Sequence, residues 1–222
     1  MSRFKYTVII PARGGSKSIK NKNLQKINGK SLIRIAIEKF LSIDSVSKVI
    51  VTSDDEKILN EAKLNGANSW VRAKNISGDT AISESAIKEI LEKSDLVAQE
   101  EHIIFHQCTS PLLSIQSIQN AITQFESSNC TSIFTVQEEY NPIWYKVGGG
   151  HEIFNKKDLN RKSRQERDPL FIETGGLYII NRNSFIKNFN RFGENPLPFI
   201  IPKLESIDID EKIDLIMAQK LI

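Results

Sequence analysis

Tyr6-Thr7-Val8-Ile9-Ile10-Pro11-Ala12-Arg13-Gly14-Gly15-Ser16-Lys17-Ser18 joins a short apolar run to a glycine pair and then to a basic stretch. Val8, Ile9 and Ile10 are stopped by Pro11, which predicts a buried strand over Lys5–Ala12. In an open α/β sheet, ligands bind beyond the carboxyl ends of the strands, so the loop that follows stands over the expected site. Paired glycines allow a tight bend and a close backbone approach. Successive N–H groups in such a loop form an anion-binding concavity. Arg13, Lys17, Lys20, Lys22, Lys26 and Lys30 lie between Ala12 and Lys30, with no acid among them. Position, glycines and charge together predict a polyphosphate loop. Its spacing matches neither the Walker A pattern nor Gly-x-Gly-x-x-Gly. A merely solvated basic loop is the plainer alternative, and placement directly after the first strand argues against it.

The rest of the chain alternates strand-like and helix-like segments. Ser31 caps a helix with an apolar stripe of Leu32, Ile33, Ala36, Ile37, Phe40 and Leu41. Lys48–Thr52 is a second strand, and Asp54–Asn65 a helix stopped by Gly66. Ser69–Arg72 and His102–His106 read as further strands, with a helix over Ser83–Val97 between them. A helix carrying Ile115, Ile118, Ile122 and Phe125 precedes a strand at Thr131–Val136. Leu177–Ile180 returns to the sheet and Asp210–Leu221 is a closing amphipathic helix. This alternation predicts one α/β domain over 1–222, a mostly parallel sheet with helices on both faces. Residues 137–170, with Gly148-Gly149-Gly150 at a turn and a polar stretch at 155–168, read as an excursion that packs on another subunit.

Composition narrows the function classes. With 40% hydrophobic residues and only 11 Gly and 7 Pro in 222, the chain is neither collagenous nor disordered. Cys108 and Cys130 fit no metal spacing, and two cysteines in a chain of this size read as free thiols. The opening residues lack the long apolar run of a signal peptide, and no segment approaches a membrane span, so the expected compartment is the cytoplasm. A net charge of +3 permits nucleic-acid binding, but residues 12–30 hold no Phe, Tyr or Trp to stack on bases.

A polyphosphate loop calls for a divalent cation and carboxylates to hold it. In Ser206-Ile207-Asp208-Ile209-Asp210, an extended backbone puts Asp208 and Asp210 on one face and the isoleucines on the other. Such a pair suits Mg²⁺ or Mn²⁺, the remaining positions going to water and phosphate oxygens. Capping of the last helix by Asp210 is the alternative, but it leaves Asp208 without a role. Ser53-Asp54-Asp55 reads as a helix start rather than a ligand set. No Ser-His-Asp or Cys-His arrangement suggests a protein nucleophile, and Cys108 reads as a packed thiol.

Taken in order, these segments resemble the cytidylyltransferases that activate acidic keto-sugars, most closely the CMP-sialic acid synthetases, with CMP-KDO synthetases more distant. The resemblance rests on 11–17 with Lys22-Asn23-Leu24, Arg72 with Asp79-Thr80-Ala81 and Ser83, and Gln107-Cys108-Thr109-Ser110-Pro111-Leu112. Arg164-Gln165, Gly175 with Tyr178, and 206–210 continue it. It implies a Rossmann-like nucleotidyltransferase fold and a homodimer whose arm, at 137–170, reaches the partner's site. It also implies CMP transfer from CTP to the anomeric hydroxyl of a sialic or related nonulosonic acid, with a shorter keto-sugar acid or CTP binding without turnover as alternatives. Arg13, Lys17 and Lys22 are then expected at the triphosphate, with Ala12, Gly14, Gly15 and Ser16 beside them. Asn23, Arg72 and Ser83 are expected at the nucleoside, Gln107, Arg164 and Tyr178 at the sugar, and Asp208 and Asp210 at Mg²⁺. Cys108, Leu113 and Thr174-Gly175-Gly176 depart from the family's usual residues. Leu113 and Thr174, with Glu173, are expected on the sugar side.

Overall fold

The computed structural model describes the whole chain except residues 1, 74, 75, 77, 79–81, 100, 155–158 and 161. The predicted block Asp79-Thr80-Ala81 and part of the 155–168 stretch therefore lie outside the described residues. The first strand, β1 (Tyr6–Pro11), is followed by a short antiparallel pair, β2 (Lys26–Ile27) and β3 (Lys30–Ser31), and by α1 (Leu32–Leu41). Then come β4 (Val46–Ser53), α2 (Glu56–Leu64), β5 (Asn68–Val71), α3 (Ser83–Lys93), β6 (His102–His106), α4 (Ile115–Ser127) and β7 (Ser132–Glu139). A hairpin of β8 (Trp144–Val147) and β9 (Gly150–Ile153) precedes β10 (Leu170–Ile180), α5 (Arg182–Asn188), β11 (Pro196–Ile200) and α6 (Lys212–Leu221).

Seven strands form the main sheet in the order β11-β7-β10-β6-β1-β4-β5. β1 pairs in parallel with both β4 and β6, and β10 runs antiparallel between β6 and β7. The chain moves from β1 through β4 to β5 and returns to the other side of β1 as β6. Strand order therefore reverses at β1, and the crevice beyond β1 and β6 is where an open α/β sheet binds ligands.

Alternation along β1 explains why helices cover both faces. Val8 and Ile10 enter a core with Ile33, Ile37 and Phe40 of α1, Ile58 of α2, and Ile118 and Ile122 of α4. Ile9, one residue out of phase, joins Ile87 and Ile90 of α3 and Phe185 of α5 on the other face. A third cluster, Ile19, Ile27, Leu32, Ile209 and Ala218, lies apart from these two. It buries one residue of the basic loop with the isoleucine between the two aspartates, and so brings segments about 190 positions apart in sequence to one place.

Several expectations change. β2–β3 turns through Asn28 (φ 47°) and Gly29 (φ 80°), an Asn-Gly hairpin signal that periodicity alone passes over. The strand expected at Leu177–Ile180 begins at Leu170, and β7 runs on to Glu139, so both ends of the expected excursion belong to the sheet. α5 and β11 carry too short a pattern to be read in advance. α6 buries only Ala218, leaving Ile213, Ile216 and Met217 exposed, and is less amphipathic than expected.

Candidate active site

Beyond β1 and β6 lies a cleft of about 300 Å³ lined by Pro11, Arg13, Ser16, Lys22, Asn23, Arg72, Gly78, Ile82, Ser83, Gln107, Cys108, Thr109 and Asp210. It gathers eight of the predicted residues from four separate stretches of sequence. Each arrives by a local cause. Ala12 N–H donates to Thr52 O at 2.9 Å, extending the β1–β4 ladder into the loop. Asn23 is buried, with Nδ2 donating to Arg13 O at 2.9 Å and Oδ1 accepting from Cys108 Sγ at 3.2 Å. It thus ties the basic loop to the end of β6. Arg72, only 8% exposed, donates from Nη2 to Thr52 O at 2.7 Å. Burial lowers its guanidinium from the ordinary value, while Asp54 and Glu89 favour the charged form.

The glycine pair divides into two roles. A Cβ at Gly14 would stand 2.6 Å from Asp55 Oδ2, so position 14 has no room for a side chain. A Cβ at Gly15 would meet nothing. Neither glycine is among those with positive φ; the left-handed backbone of the loop falls instead at Asn21 (φ 53°) and at the Asn28-Gly29 turn. The Gly14 N–H donates to Asp54 Oδ1 at 3.0 Å. Asp55 starts α2 as a cap, its Oδ1 accepting from Lys57 N–H at 2.7 Å.

The six loop cations separate. Arg13 and Lys22 reach the cleft, while Lys17 and Lys20 are exposed on the loop. Lys30 pairs with Glu38 at 2.6 Å, and Lys26 lies on β2. Lys22 is mostly covered at 16% side-chain exposure, and its Nζ donates to Asp210 Oδ1 at 3.0 Å. The last helix is capped by Glu211 with Asp214, not by Asp210, whose carboxylate is left to meet Lys22. Ile209 is buried and its N–H donates to Thr109 O at 2.8 Å, pinning the acidic segment to the loop after β6. Asp208 accepts from Ser110 Oγ at 3.4 Å. Burial, and then the neighbouring Asp210 carboxylate, pushes Asp208 above the usual carboxylate range.

Asp208 and Lys17 are not in the cleft's lining, and two residues expected at the sugar lie well away from it. Tyr178 is 2% exposed and packs in the core on the α3 face, its hydroxyl donating to Glu173 and its ring lying under Arg191 at 4.7 Å. Arg164 lies in a separate cleft of about 500 Å³ with Glu138, Tyr140 and Lys203, its guanidinium 5.1 Å from the centre of the Tyr140 ring. The sugar-side expectations also change. Leu113 is 1% exposed in the core, and Thr174 Oγ1 bonds Thr135 Oγ1 at 2.7 Å, so both side chains are turned onto the body of the sheet. Packing, not ligand contact, accounts for these two. Glu173 stays exposed.

Two buried groups near the cleft are chemically quiet. Burial pushes the Cys108 thiol up to about 12, which keeps it protonated at neutral pH. Burial draws His106 down to about 3, and its Nδ1 lies 2.7 Å from Gly176 O. Neither supplies a nucleophile or a proton acceptor at pH 7. The arrangement is a cationic and hydrogen-bonding cleft with a carboxylate pair at its edge.

A profile of the family described as "Cytidylyltransferase" matches residues 7–201. The chain belongs to the cytidylyltransferase family. It is similar to a pseudaminic acid cytidylyltransferase of Campylobacter jejuni, with 30% identity over 96% of this chain and 94% of that one. It is 29% identical to an N-acylneuraminate cytidylyltransferase of Escherichia coli over 97% of its own length and 52% of that longer protein. Among solved structures it resembles a CMP:2-keto-3-deoxy-manno-octonic acid synthetase complexed with CTP, with a TM-score of 0.69, 16% identity and 98% of both chains covered. That likeness carries the fold, a nucleotidyltransferase sheet of mostly parallel strands. No helix among the described residues of this cytidylyltransferase is long and apolar enough to cross a membrane.

Proposed function

We propose that this cytidylyltransferase transfers CMP from CTP to the anomeric hydroxyl of a nonulosonic acid, releasing pyrophosphate. The observation that carries the reading is the meeting of Arg13, Lys22 and Asp210 in one cleft at the strand-order reversal of the sheet. The names of the related proteins from Campylobacter and Escherichia support an acidic nine-carbon sugar as acceptor.

In this reading the sugar hydroxyl attacks the α-phosphorus in line with the departing pyrophosphate. Such a transfer needs alignment and charge neutralisation more than covalent help. Arg13 and Lys22, with Lys17 from the outer loop, offset charge on the leaving pyrophosphate. Gly15 presents backbone to the phosphates, the N–H groups of Ala12, Gly14 and Ser16 being bonded to Thr52 O, Asp54 Oδ1 and Gly14 O. Asn23, Arg72 and Ser83 hold the nucleoside side of the cleft, and Gln107 faces the sugar. The buried Tyr178 acts through Glu173 rather than by touching the sugar. Arg164 serves a partner's site, brought there by the 137–170 arm in a homodimer.

The acidic pair fits a hard divalent cation. Both donors are carboxylates, hard oxygen ligands one residue apart on either side of buried Ile209. Two protein oxygens leave the other positions of a Mg²⁺ to water and phosphate. Mg²⁺ or Mn²⁺ held by Asp208 and Asp210 would neutralise phosphate charge. Lys22 on Asp210 meanwhile holds a positive charge at the same carboxylate.

The test is pyrophosphate release with each nucleoside triphosphate, Mg²⁺ and a panel of 2-keto-3-deoxy sugar acids. Release with CTP and a nonulosonic acid is expected. Release with ATP or GTP but not CTP overturns the reading, and CTP turnover only with a shorter keto-sugar acid overturns its acceptor. Asp208→Asn should abolish the Mg²⁺-dependent turnover with the fold intact.

A further inference from the structure

We propose that Asp54 is a positioning residue for the phosphate loop, its carboxylate holding the Gly14 N–H so that Arg13 and Ser16 face the nucleotide. The inference rests on the CTP reading above and assigns a role to an acid that the sequence offers only as part of a helix start. Gly14 N–H donates to Asp54 Oδ1 at 3.0 Å, and Ser16 N–H in turn donates to Gly14 O at 3.1 Å. Gly14 is therefore the hinge between two residues that line the cleft, and whatever fixes Gly14 sets both.

The anchor is itself rigid. Ser53 is buried and its Oγ accepts the Asp55 N–H at 3.0 Å, while Asp55 caps α2. Asp54 is held between these two fixed neighbours at the end of β4. The fit is close, since any Cβ at Gly14 would overlap Asp55 Oδ2 at 2.6 Å and Asp55 Cβ at 2.7 Å. The same strand end also accepts Ala12 N–H and the Arg72 guanidinium on Thr52 O. β4 thus serves as the jig on which the loop and Arg72 are set. A carboxylate beside a polyanion site repels the ligand, so Asp54 has a cost that its positioning of the loop offsets. Asp54 also favours the charged form of buried Arg72, giving the acid a second use in the free protein.

The experiment measures CTP binding by calorimetry to wild type, Asp54→Ala and Asp54→Asn, with the exchange rate of the Gly14 amide in the free proteins. Asp54→Ala should weaken CTP binding by about tenfold, the loss of one charge-assisted hydrogen bond. Its Gly14 amide should exchange faster, and its Tm should stay near wild type because Asp54 is exposed. Asp54→Asn retains an acceptor oxygen and should bind CTP within about threefold of wild type, with a protected Gly14 amide. Binding by Asp54→Ala as tight as wild type, or tighter, overturns the inference while leaving the CTP reading standing. Equal loss in Asp54→Asn and Asp54→Ala also overturns it, because charge and not the hydrogen bond would then be responsible. No CTP binding by wild type overturns the CTP reading and this inference together.

Discussion

The cleft beyond β1 and the arm at 137–170 differ in how much of themselves they contain. The cleft is internally tied: Asn23 joins loop to β6, Asp54 joins loop to β4, and Ile19 and Ile209 share one apolar cluster. The arm leaves Trp144, Tyr145, Val147, Phe154 and Leu159 exposed, and its Arg164 faces a cleft of its own. Exposed apolar side chains on that scale are characteristic of an interaction surface. The difference teaches that the proposed nucleotide seat is held together by contacts within the one chain, whereas the arm stands largely exposed in it.

The largest effect should come from breaking the seat. Arg13→Ala is expected to lower CTP-dependent kcat/KM by about 10²–10³ while leaving the molecular mass in solution unchanged. A change of oligomeric state in that variant would show that seat and arm are not separable. Mixing Arg13→Ala with Arg164→Ala probes the other side. If Arg164 serves the partner's site, mixed dimers regain one intact site, and activity should return to roughly a quarter of wild type from two nearly inactive proteins. No recovery after subunit exchange would place Arg164 in its own subunit's site.

A packing change comes next. Ile209→Ala should cost about 2–4 kcal/mol of stability through the cavity it leaves in the Ile19–Ile27–Leu32 cluster. It should also weaken Mn²⁺ binding, measured by electron paramagnetic resonance, because Asp208 and Asp210 flank it. An arm variant, Trp144→Ser with Phe154→Ser, should leave that Mn²⁺ affinity unaltered while shifting dimer to monomer in sedimentation.

The smallest effect is a pH dependence. Burial and Asp210 raise the Asp208 carboxyl in the folded chain. Such a group contributes its stability when protonated, below its unfolded value, and loses it as pH rises through the folded one. Asp208→Asn should therefore raise the Tm of the metal-free protein by about 2–4 °C at pH 7 and leave it unchanged in acid. A lower Tm at pH 7 would show that the charge is stabilising where it stands.

Local pattern made much of this legible. Val8, Ile9 and Ile10 gave the strand, Ser31 the cap of α1, and the glycine and cation pattern the loop. What stayed hidden depended on distance in sequence. Nothing in residues 12–30 announces that Asp54 will hold Gly14, that Asp210 will meet Lys22, or that Lys30 will turn away to Glu38. The family resemblance put Leu113 and Thr174 on the sugar side, yet their side chains face the body. In a strand or turn, one residue of phase decides which way a side chain points.

The sequence by itself determined an α/β alternation, a basic glycine loop after the first strand, and a pair of aspartates able to share one face. Those follow from period, charge and backbone freedom, which are local properties. Only the tertiary structure decided that the loop's apparent excess of positive charge is answered by acids from other segments, and that Arg164 lies in a cleft apart from the one lined by Arg13 and Lys22. The reason is physical. Electrostatic and packing energies depend on distance in space, and the chain's return past β1 to β6 sets those distances.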